Sequence, residues 1–119
     1  MNKFQTSKDD KDQEAFLSHI LVAIADIQRF YTPENLEEEV YRLAIERCFE
    51  IIGEAVKHLN DETKALRGDI PWNKVSDTRN YIIHGYFGVS HPLLEQAIID
   101  DIPILKTAVE EILTLTQKE

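Results

Sequence analysis

Apolar side chains recur every three or four residues along most of the chain, which is the spacing of one face of an α-helix. The clearest stretch runs from Glu14 to Phe30. No segment alternates apolar and polar residues strongly enough to compete as a β-strand. The pattern therefore predicts an all-α protein, an up-and-down helical bundle of four long helices with one or two short ones.

Capping residues mark where the second helix begins. Thr32 can cap it, and Pro33 suits its first position because a proline there gives up no helical hydrogen bond. This helix is predicted to run without a break from Pro33 to about His58. Its apolar stripe is predicted to comprise Leu36, Val40, Leu43, Ala44, Ile51, Ala55 and Leu59.

Turn residues define the next two elements. Asp61 can cap a short helical turn that ends before Gly68. A third long helix is predicted from Pro71 to about His84. Gly85 is a natural residue for the left-handed C-terminal cap of that helix.

The last helical region is predicted to begin at residues 90–92 and to run to about Thr116. Pro103 lies in its middle and should kink or split it, because proline lacks the N–H that a helix needs. With 119 residues and no long linker, residues 1–119 are predicted to form a single domain. Residues 1–13 are polar and are predicted to form a flexible arm before the first helix.

Composition excludes several classes of protein. The 13 Lys and Arg residues against 22 Asp and Glu give a net charge of −9, which opposes general electrostatic binding of nucleic acid. Any nucleic-acid site must then be local. The single cysteine, Cys48, excludes an intrachain disulfide, and no apolar run approaches the ~20 residues needed to span a bilayer. We therefore expect a cytoplasmic protein without membrane contact.

Side chains that could hold a metal are scattered along the chain. Glu54 and His58 stand four residues apart, as do His91 and Glu95. A di-iron bundle instead needs Glu-x-x-His on two helices, so solvated polar faces explain these pairs better. The chain also has no Gly-rich phosphate loop and no GxSxG turn. No metal and no cofactor is predicted.

One segment concentrates residue types that carry chemistry. Residues 79–86 combine the permanent cation of Arg79, the imidazole of His84 and the phenol of Tyr86. The window 64–86 around them holds four Lys or Arg residues against two Asp, a net charge of +2 in a chain of −9. The basic stretch and the cluster therefore coincide, which makes this segment the candidate site.

Helix geometry leaves more than one interpretation open. At about 100° per residue, Arg79 and His84 point ~140° apart around one helix, whereas Asn80 and His84 share a face. Arg79 could curl toward His84, or two copies of the segment could meet across a symmetric dimer. Alternatively, Arg79 pairs with Asp77 or another carboxylate, and His84 and Tyr86 only pack. The residue types alone do not decide between a catalytic and a structural role.

The same segment resembles the HEPN superfamily, specifically its HepT-like toxins. The pattern Arg-x4-His-x-Tyr is matched by Arg79, His84 and Tyr86, and Asn80 is the residue that usually follows the Arg in that family. The resemblance covers roughly residues 12–116. Further blocks that are similar, in the same order, are Ile-Ile-Gly-Glu-Ala at 51–55, Ile-Pro-Trp at 70–72, His-Gly-Tyr-Phe-Gly at 84–88 and Asp-Ile-Pro-Ile-Leu at 101–105.

This resemblance implies an HEPN-like bundle that forms a homodimer and brings two Arg-x4-His motifs into one cleft. It implies a metal-independent endoribonuclease, usually the toxin of a toxin–antitoxin pair. Arg79 and His84 would be catalytic, Asn80 would support them, and RNA would be the substrate. The partner would be a small nucleotidyltransferase antitoxin, which in some pairs adds AMP to the motif's Tyr, here Tyr86.

Two other functions stay open at this point. One is a non-catalytic HEPN protein that binds a nucleotidyltransferase partner or RNA, and the other is a purely structural helical bundle. The intact pair of Arg79 and His84 favours the ribonuclease over the non-catalytic protein without proving turnover. A small nucleotidyltransferase encoded beside the gene would favour the toxin–antitoxin interpretation.

Overall fold

The fold is helical throughout the part of the chain that the structure describes. A computed structural model describes residues 8–77 and 91–117, and the all-α prediction is confirmed there, with no strand among these residues. The elements are α1 (Lys8–Phe30), α2 (Pro33–Leu36), α3 (Glu39–Lys57), α4 (Asp61–Ala65), α5 (described over 72–77), α6 (His91–Gln96), a π-helical segment (Ala97–Asp101) and α7 (Ile102–Gln117).

The helices α1 and α3 are the two longest described, and they pack against each other in antiparallel orientation. At one end of the pair, the ring of Phe16 stacks on His58 with centroids 5.0 Å apart. At the other end, the ring centroids of Phe30 and Tyr41 lie 6.4 Å apart. Helix α7 packs on α1 and completes the core. Fully buried side chains at its centre include Leu17, Ile20, Ile24, Ile27, Ile45, Ile52, Val56, Val109 and Ile112.

Helix α1 begins at Lys8, six residues before the predicted start, so part of the predicted flexible arm is helical. The reason is a long-range contact of Gln13, a buried polar residue. Its Nε2 donates to the carbonyl oxygen of His58 at 3.1 Å, and its Oε1 accepts from the backbone N–H of Asn60 at 2.8 Å. These two bonds attach the start of α1 to the end of α3.

The predicted second helix is broken in two. Thr32 caps α2 as predicted, because its Oγ1 accepts from the backbone N–H of Asn35 at 2.9 Å. The break follows at Glu38, whose φ of −92° and ψ of 126° are extended. Arg42 then donates to the carbonyl oxygen of Leu36 at 3.4 Å, which satisfies one group left open by the break.

The break also changes which residues of α3 face the core. Val40 is 79% exposed and Leu43 is 53% exposed, although both were predicted on the apolar stripe. An uninterrupted helix would have kept them in line with Leu36, which is buried. The side chains that α3 buries instead include Ile45, Cys48, Phe49, Ile52 and Val56.

The cap of α4 lies one residue earlier than predicted. Asn60, not Asp61, is the N-cap, and its Oδ1 accepts from the backbone N–H of Thr63 at 2.8 Å. Asp61 is the first helical residue, where its carboxylate is favoured by the positive end of the helix dipole. The Asn60 side chain also donates to Asp9 at 3.0 Å, a second link between this turn and α1.

Pro103 splits the C-terminal helical region, as predicted. The residues before it form the π-helical segment, in which the backbone N–H of Ile102 donates to the carbonyl oxygen of Ala97, five residues back. A regular α-helix would require an N–H at Pro103 and would press its ring against the carbonyl group of Ile99. The wider π turn avoids both conflicts.

The third predicted helix is described only at its start. Helical backbone begins at residue 72, one position after Pro71, and the remainder of the predicted helix with its cap at Gly85 lies outside the described residues. None of the helices in residues 8–77 and 91–117 is long and apolar enough to cross a membrane.

Replacing Gln13 by Ala would leave the His58 carbonyl group and the Asn60 N–H without this partner. We expect the free energy of unfolding to fall by about 1–3 kcal/mol, the usual cost of depriving buried polar groups of their hydrogen bonds. The free energy of unfolding is measured by urea denaturation, with circular dichroism as the signal. Gln28→Ala, at an exposed position of the same helix, is the matched control. An equal fall in the free energy of unfolding in both variants would contradict the role of Gln13.

Candidate functional site

The predicted site residues lie between α5 and α6 in the chain. Arg79, Asn80, His84 and Tyr86 all fall within residues 78–90, outside the described residues, so their roles stay predictions. The structure does describe the framework on either side, namely the turn and helix that precede the segment and the helix that follows it. On each side, an aromatic side chain donates a hydrogen bond that attaches this framework to the rest of the bundle.

Before the segment, the indole of Trp72 holds the start of α5. Its Nε1–H donates to two carbonyl oxygens, that of Lys64 at 3.0 Å and that of Arg67 at 3.1 Å. Both acceptors belong to α4 and the turn after it, and each also accepts a backbone N–H, from Arg67 and from Ile70 respectively. The residue is also buried in the core beside Ile70. The start of α5 is therefore held by apolar burial and by directional bonds.

The turn that leads to α5 is tied to α7 through Arg67. Its Nε and Nη2 each donate to a carboxylate oxygen of Asp69 at 2.9 Å, and its Nη1 donates to Glu111 at 2.7 Å. The hydrogen bonds with Asp69 raise the pKa of Arg67, and in return they hold the pKa of Asp69 below its ordinary value. Arg67 is one of the four cations in the basic window. Because two carboxylates already match its charge, we do not assign it to phosphate binding.

After the segment, a hydrogen bond joins the end of α1 to α6. The phenol of Tyr31, which directly follows α1, donates to Oε2 of Glu95 on α6. This bond, together with burial and the negative charges of Glu95 and Glu34, raises the pKa of Tyr31 to about 12. The sequence does not indicate this pair, because helical spacing relates Glu95 to His91 instead. The two partners are 64 residues apart and share no periodic pattern.

A cavity of about 320 Å³ lies beside the start of α5. Lys74 and Asp101 are the charged residues in its lining, and the remainder is apolar. A phosphate diester would lose its hydration there without enough donors to replace it. We therefore do not assign phosphate chemistry to this cavity. Its apolar lining includes Phe49, Ile52, Ile70, Val75, Ile102 and Leu105.

Polar groups along the outer side of α3 pair with each other. Arg47 donates to Glu50 at 3.1 Å, and His58 Nε2 lies 3.4 Å from Glu54 Oε1. This arrangement fits the interpretation of the Glu54 and His58 pair as part of a solvated polar face. Within residues 8–77 and 91–117, no group of three or more His, Cys, Asp or Glu side chains is placed to hold a metal ion.

Comparison with known proteins gives consistent matches. The family described as "Ribonuclease HepT-like" matches residues 6–112. A "Putative RNase" of Methanocaldococcus jannaschii is 34% identical over 104 residues, which cover 84% of this chain and 95% of that protein. A "Putative RNase" of Caldanaerobacter subterraneus subsp. tengcongensis is 34% identical over 92% of this chain and 98% of its own length. A "Probable ribonuclease HepT" of Thermococcus cleftensis is 33% identical over 86% of this chain and 96% of its own length. No solved structure gives a significant match.

Proposed function

The chain belongs to the HepT-like ribonuclease family, and we propose that it is a metal-independent endoribonuclease that acts as the toxin of a toxin–antitoxin pair. The observation that supports this most strongly is the family match over residues 6–112. That range includes Arg79, His84 and Tyr86 in the spacing Arg-x4-His-x-Tyr. The framework adds support, because the chain is attached to the bundle just before and just after residues 78–90.

The proposed reaction starts at the ribose 2′-hydroxyl group next to the scissile phosphate. Its oxygen attacks phosphorus and the bond from phosphorus to the 5′-oxygen breaks, which leaves a 2′,3′-cyclic phosphate and a 5′-hydroxyl group. One proton leaves the 2′-hydroxyl group and one reaches the departing 5′-oxygen. The step therefore needs a base and an acid, for which the two His84 residues of a dimer would serve, one taking the proton of the 2′-hydroxyl group and the other protonating the 5′-oxygen, and it has no requirement for a metal ion. DNA lacks the 2′-hydroxyl group, so the substrate class is RNA.

Each motif residue has a role that suits its chemistry. An imidazole titrates near neutral pH, so His84 can take part in proton transfer. Its predicted position near a helix C-terminus favours the protonated form, and we assign it to the departing 5′-oxygen. The guanidinium of Arg79 would hold the phosphate oxygens through paired N–H donors and stabilise their developing charge. Asn80, one helical turn before His84, would orient the imidazole or donate to phosphate.

We further infer that the active form is a homodimer. Arg79 and His84 point ~140° apart on one helix, so a single copy of the motif does not place both on one phosphate without a bend of the long Arg79 side chain. Two copies related by a two-fold axis would bring both residue types into one cleft. A C2 interface of this kind is the commonest symmetry among homo-oligomers.

The proposed control is covalent and acts on Tyr86. A small nucleotidyltransferase antitoxin would join AMP to the phenol oxygen, which attacks the α-phosphorus of ATP and displaces pyrophosphate. The added phosphate would compete for Arg79, and the added nucleotide would exclude RNA by its bulk. We place both partners in the cytoplasm, where the single Cys48 of the chain stays reduced.

Alanine in place of His84 should lower the rate of RNA cleavage in the presence of EDTA about 10²–10⁴-fold, the usual contribution of general acid–base catalysis. Arg79→Ala should abolish most of the activity as well, because the phosphate loses its charged donor. Both variants should keep the helical circular dichroism of the wild type. Rates are measured on a labelled RNA under single-turnover conditions.

The matched controls for these two variants are Arg47→Ala and His58→Ala, which make the same chemical changes on α3. Both side chains are exposed and lie outside the motif, so cleavage should stay within about twofold of the wild type. Wild-type cleavage that stops in EDTA would contradict the metal-independent mechanism. Full activity in Arg79→Ala and His84→Ala would contradict the assignment of the site, and a wild type without any cleavage would favour the non-catalytic alternative.

Light scattering on the purified chain at micromolar concentration should give a molecular mass twice the 13.8 kDa of one copy. Residues 71–84, the predicted helix that carries the motif, should lie near the two-fold axis. A cysteine introduced next to the motif should then form a crosslink between protomers, while one on the exposed side of α1 should not. A monomer throughout the concentration range in which RNA is cleaved would contradict the shared cleft.

Co-expression with the cognate nucleotidyltransferase should increase the intact mass of the chain by multiples of AMP and suppress its nuclease activity without unfolding it. Tyr86→Phe should remain an active nuclease and gain no mass, because it lacks the acceptor oxygen. Tyr81→Phe, a neighbouring phenol in the same segment, is the control and should be modified like the wild type. Identical mass gains in the wild type and Tyr86→Phe would refute the modification site.

A further inference from the structure

The hydrogen bond between Tyr31 and Glu95 lies close in sequence to the proposed catalytic segment. Glu95 stands on α6, which begins at His91, five residues after Tyr86. We propose that Tyr31 and Glu95 are positioning residues for this reaction, which fix the orientation of α6, the helix that follows residues 78–90 in the chain. The inference rests on the proposed ribonuclease function and adds two residues outside its motif.

Helix α6 is held by apolar burial and by a hydrogen bond, which act differently. This helix has six residues, and Leu94 is its side chain in the described core. Apolar burial sets how deeply a helix packs, but it has little directional preference. A hydrogen bond is directional and weakens steeply as its angle departs from linear. The bond from Tyr31 to Glu95 therefore supplies the rotational restraint that the burial of Leu94 does not.

The junction between α6 and α7 is not a regular α-helix. A continuous α-helix would transmit the orientation of α7 directly into α6. The π-helical segment Ala97–Asp101 interrupts that register, because its hydrogen bond from Ile102 to Ala97 closes a wider turn. The orientation of α6 is thus not inherited from α7 alone. Besides contacts with α2, the hydrogen bond from Tyr31 at the end of α1 attaches α6 separately.

Tyr31 and Glu95 pair a phenol donor with a carboxylate acceptor. A phenol that donates to a carboxylate forms a charge-assisted hydrogen bond, which is stronger than a neutral one. The pKa of Tyr31, raised to about 12, keeps the donor protonated throughout the neutral range in which the nuclease is proposed to act. The pair therefore exchanges no proton during turnover in that range. Its effect on catalysis would be geometric.

Tyr31→Phe is the main test because it removes the donor oxygen and keeps the ring. We expect kcat for RNA cleavage to fall about tenfold, equivalent to ~1.4 kcal/mol at the transition state, while KM changes less than about twofold. Glu95→Ala should give the same loss. Glu95→Gln should restore most of the activity, because its amide oxygen still accepts from the phenol.

Hydrogen exchange by mass spectrometry gives a readout that does not need activity. In Tyr31→Phe and Glu95→Ala, the rate of amide hydrogen exchange should rise about tenfold in peptides from α6 (His91–Gln96) and stay unchanged in α3. Glu95→Gln should exchange like the wild type. Tyr41→Phe is the matched control, since it removes a phenol oxygen at the same end of the bundle, from a ring that packs on Phe30.

The outcomes separate this inference from the proposed function. If the wild type cleaves RNA and Tyr31→Phe matches it in kcat and exchange, the positioning role is wrong and the ribonuclease stands. An equal fall in kcat in Tyr41→Phe would also overturn the positioning role, because the effect would then be general destabilisation. The same conclusion would follow if Glu95→Gln did not restore kcat. If the wild type cleaves no RNA, the proposed function fails, and the positioning of a catalytic segment by this pair fails with it.

Discussion

Burial of apolar side chains between α1 and α3 holds the two longest described helices together, and the other elements attach to this pair. Each fully buried Leu or Ile contributes about 1.5–3 kcal/mol relative to an exposed one, and α1 alone buries Leu17, Ile20, Ile24 and Ile27 completely. Gln13 then connects α1 to the turn that begins α4, and α7 packs along α1. The antiparallel pair of α1 and α3 is thus the base to which α4 and α7 attach.

Two further attachment points flank the proposed catalytic segment in the chain. Trp72 binds the turn after α4 shortly before the proposed catalytic segment, and Glu95 accepts from Tyr31 shortly after it. Chemistry on a phosphate requires groups held within a fraction of an ångström of their productive positions. A helical bundle supplies such rigidity only if the chain on both sides of the reacting residues is fixed. These attachments are the described features that meet this requirement.

Local patterns predicted the elements that local patterns control. Apolar spacing predicted α1, and the side chain of Thr32 predicted the start of α2. The missing N–H of Pro103 predicted the split of the C-terminal helical region. The structure has all three features. The uninterrupted second helix was wrong, because the break at Glu38 lies in a run whose apolar spacing still looks helical. A pattern of residue types does not report one extended backbone position inside such a run.

Long-range polar contacts were beyond sequence reasoning for a different reason. Gln13 meets Asn60 across 47 positions, and Tyr31 meets Glu95 across 64, so neither pair produces any regular spacing. For the same reason, the charge count of the basic window did not include Glu111, which binds Arg67 from 44 positions away.

The assignment of Arg79 and His84 depends on the motif and on the family, because their segment lies outside the described residues. The central claim of the proposed mechanism is that the substrate's own 2′-hydroxyl group is the nucleophile. The most direct measurement places a single 2′-deoxy nucleotide on the 5′ side of a mapped cleavage site and follows the reaction in EDTA. The account predicts that cleavage at this bond disappears, while the unmodified RNA yields a 2′,3′-cyclic phosphate. Cleavage of the deoxy-substituted bond at the unmodified rate would contradict it.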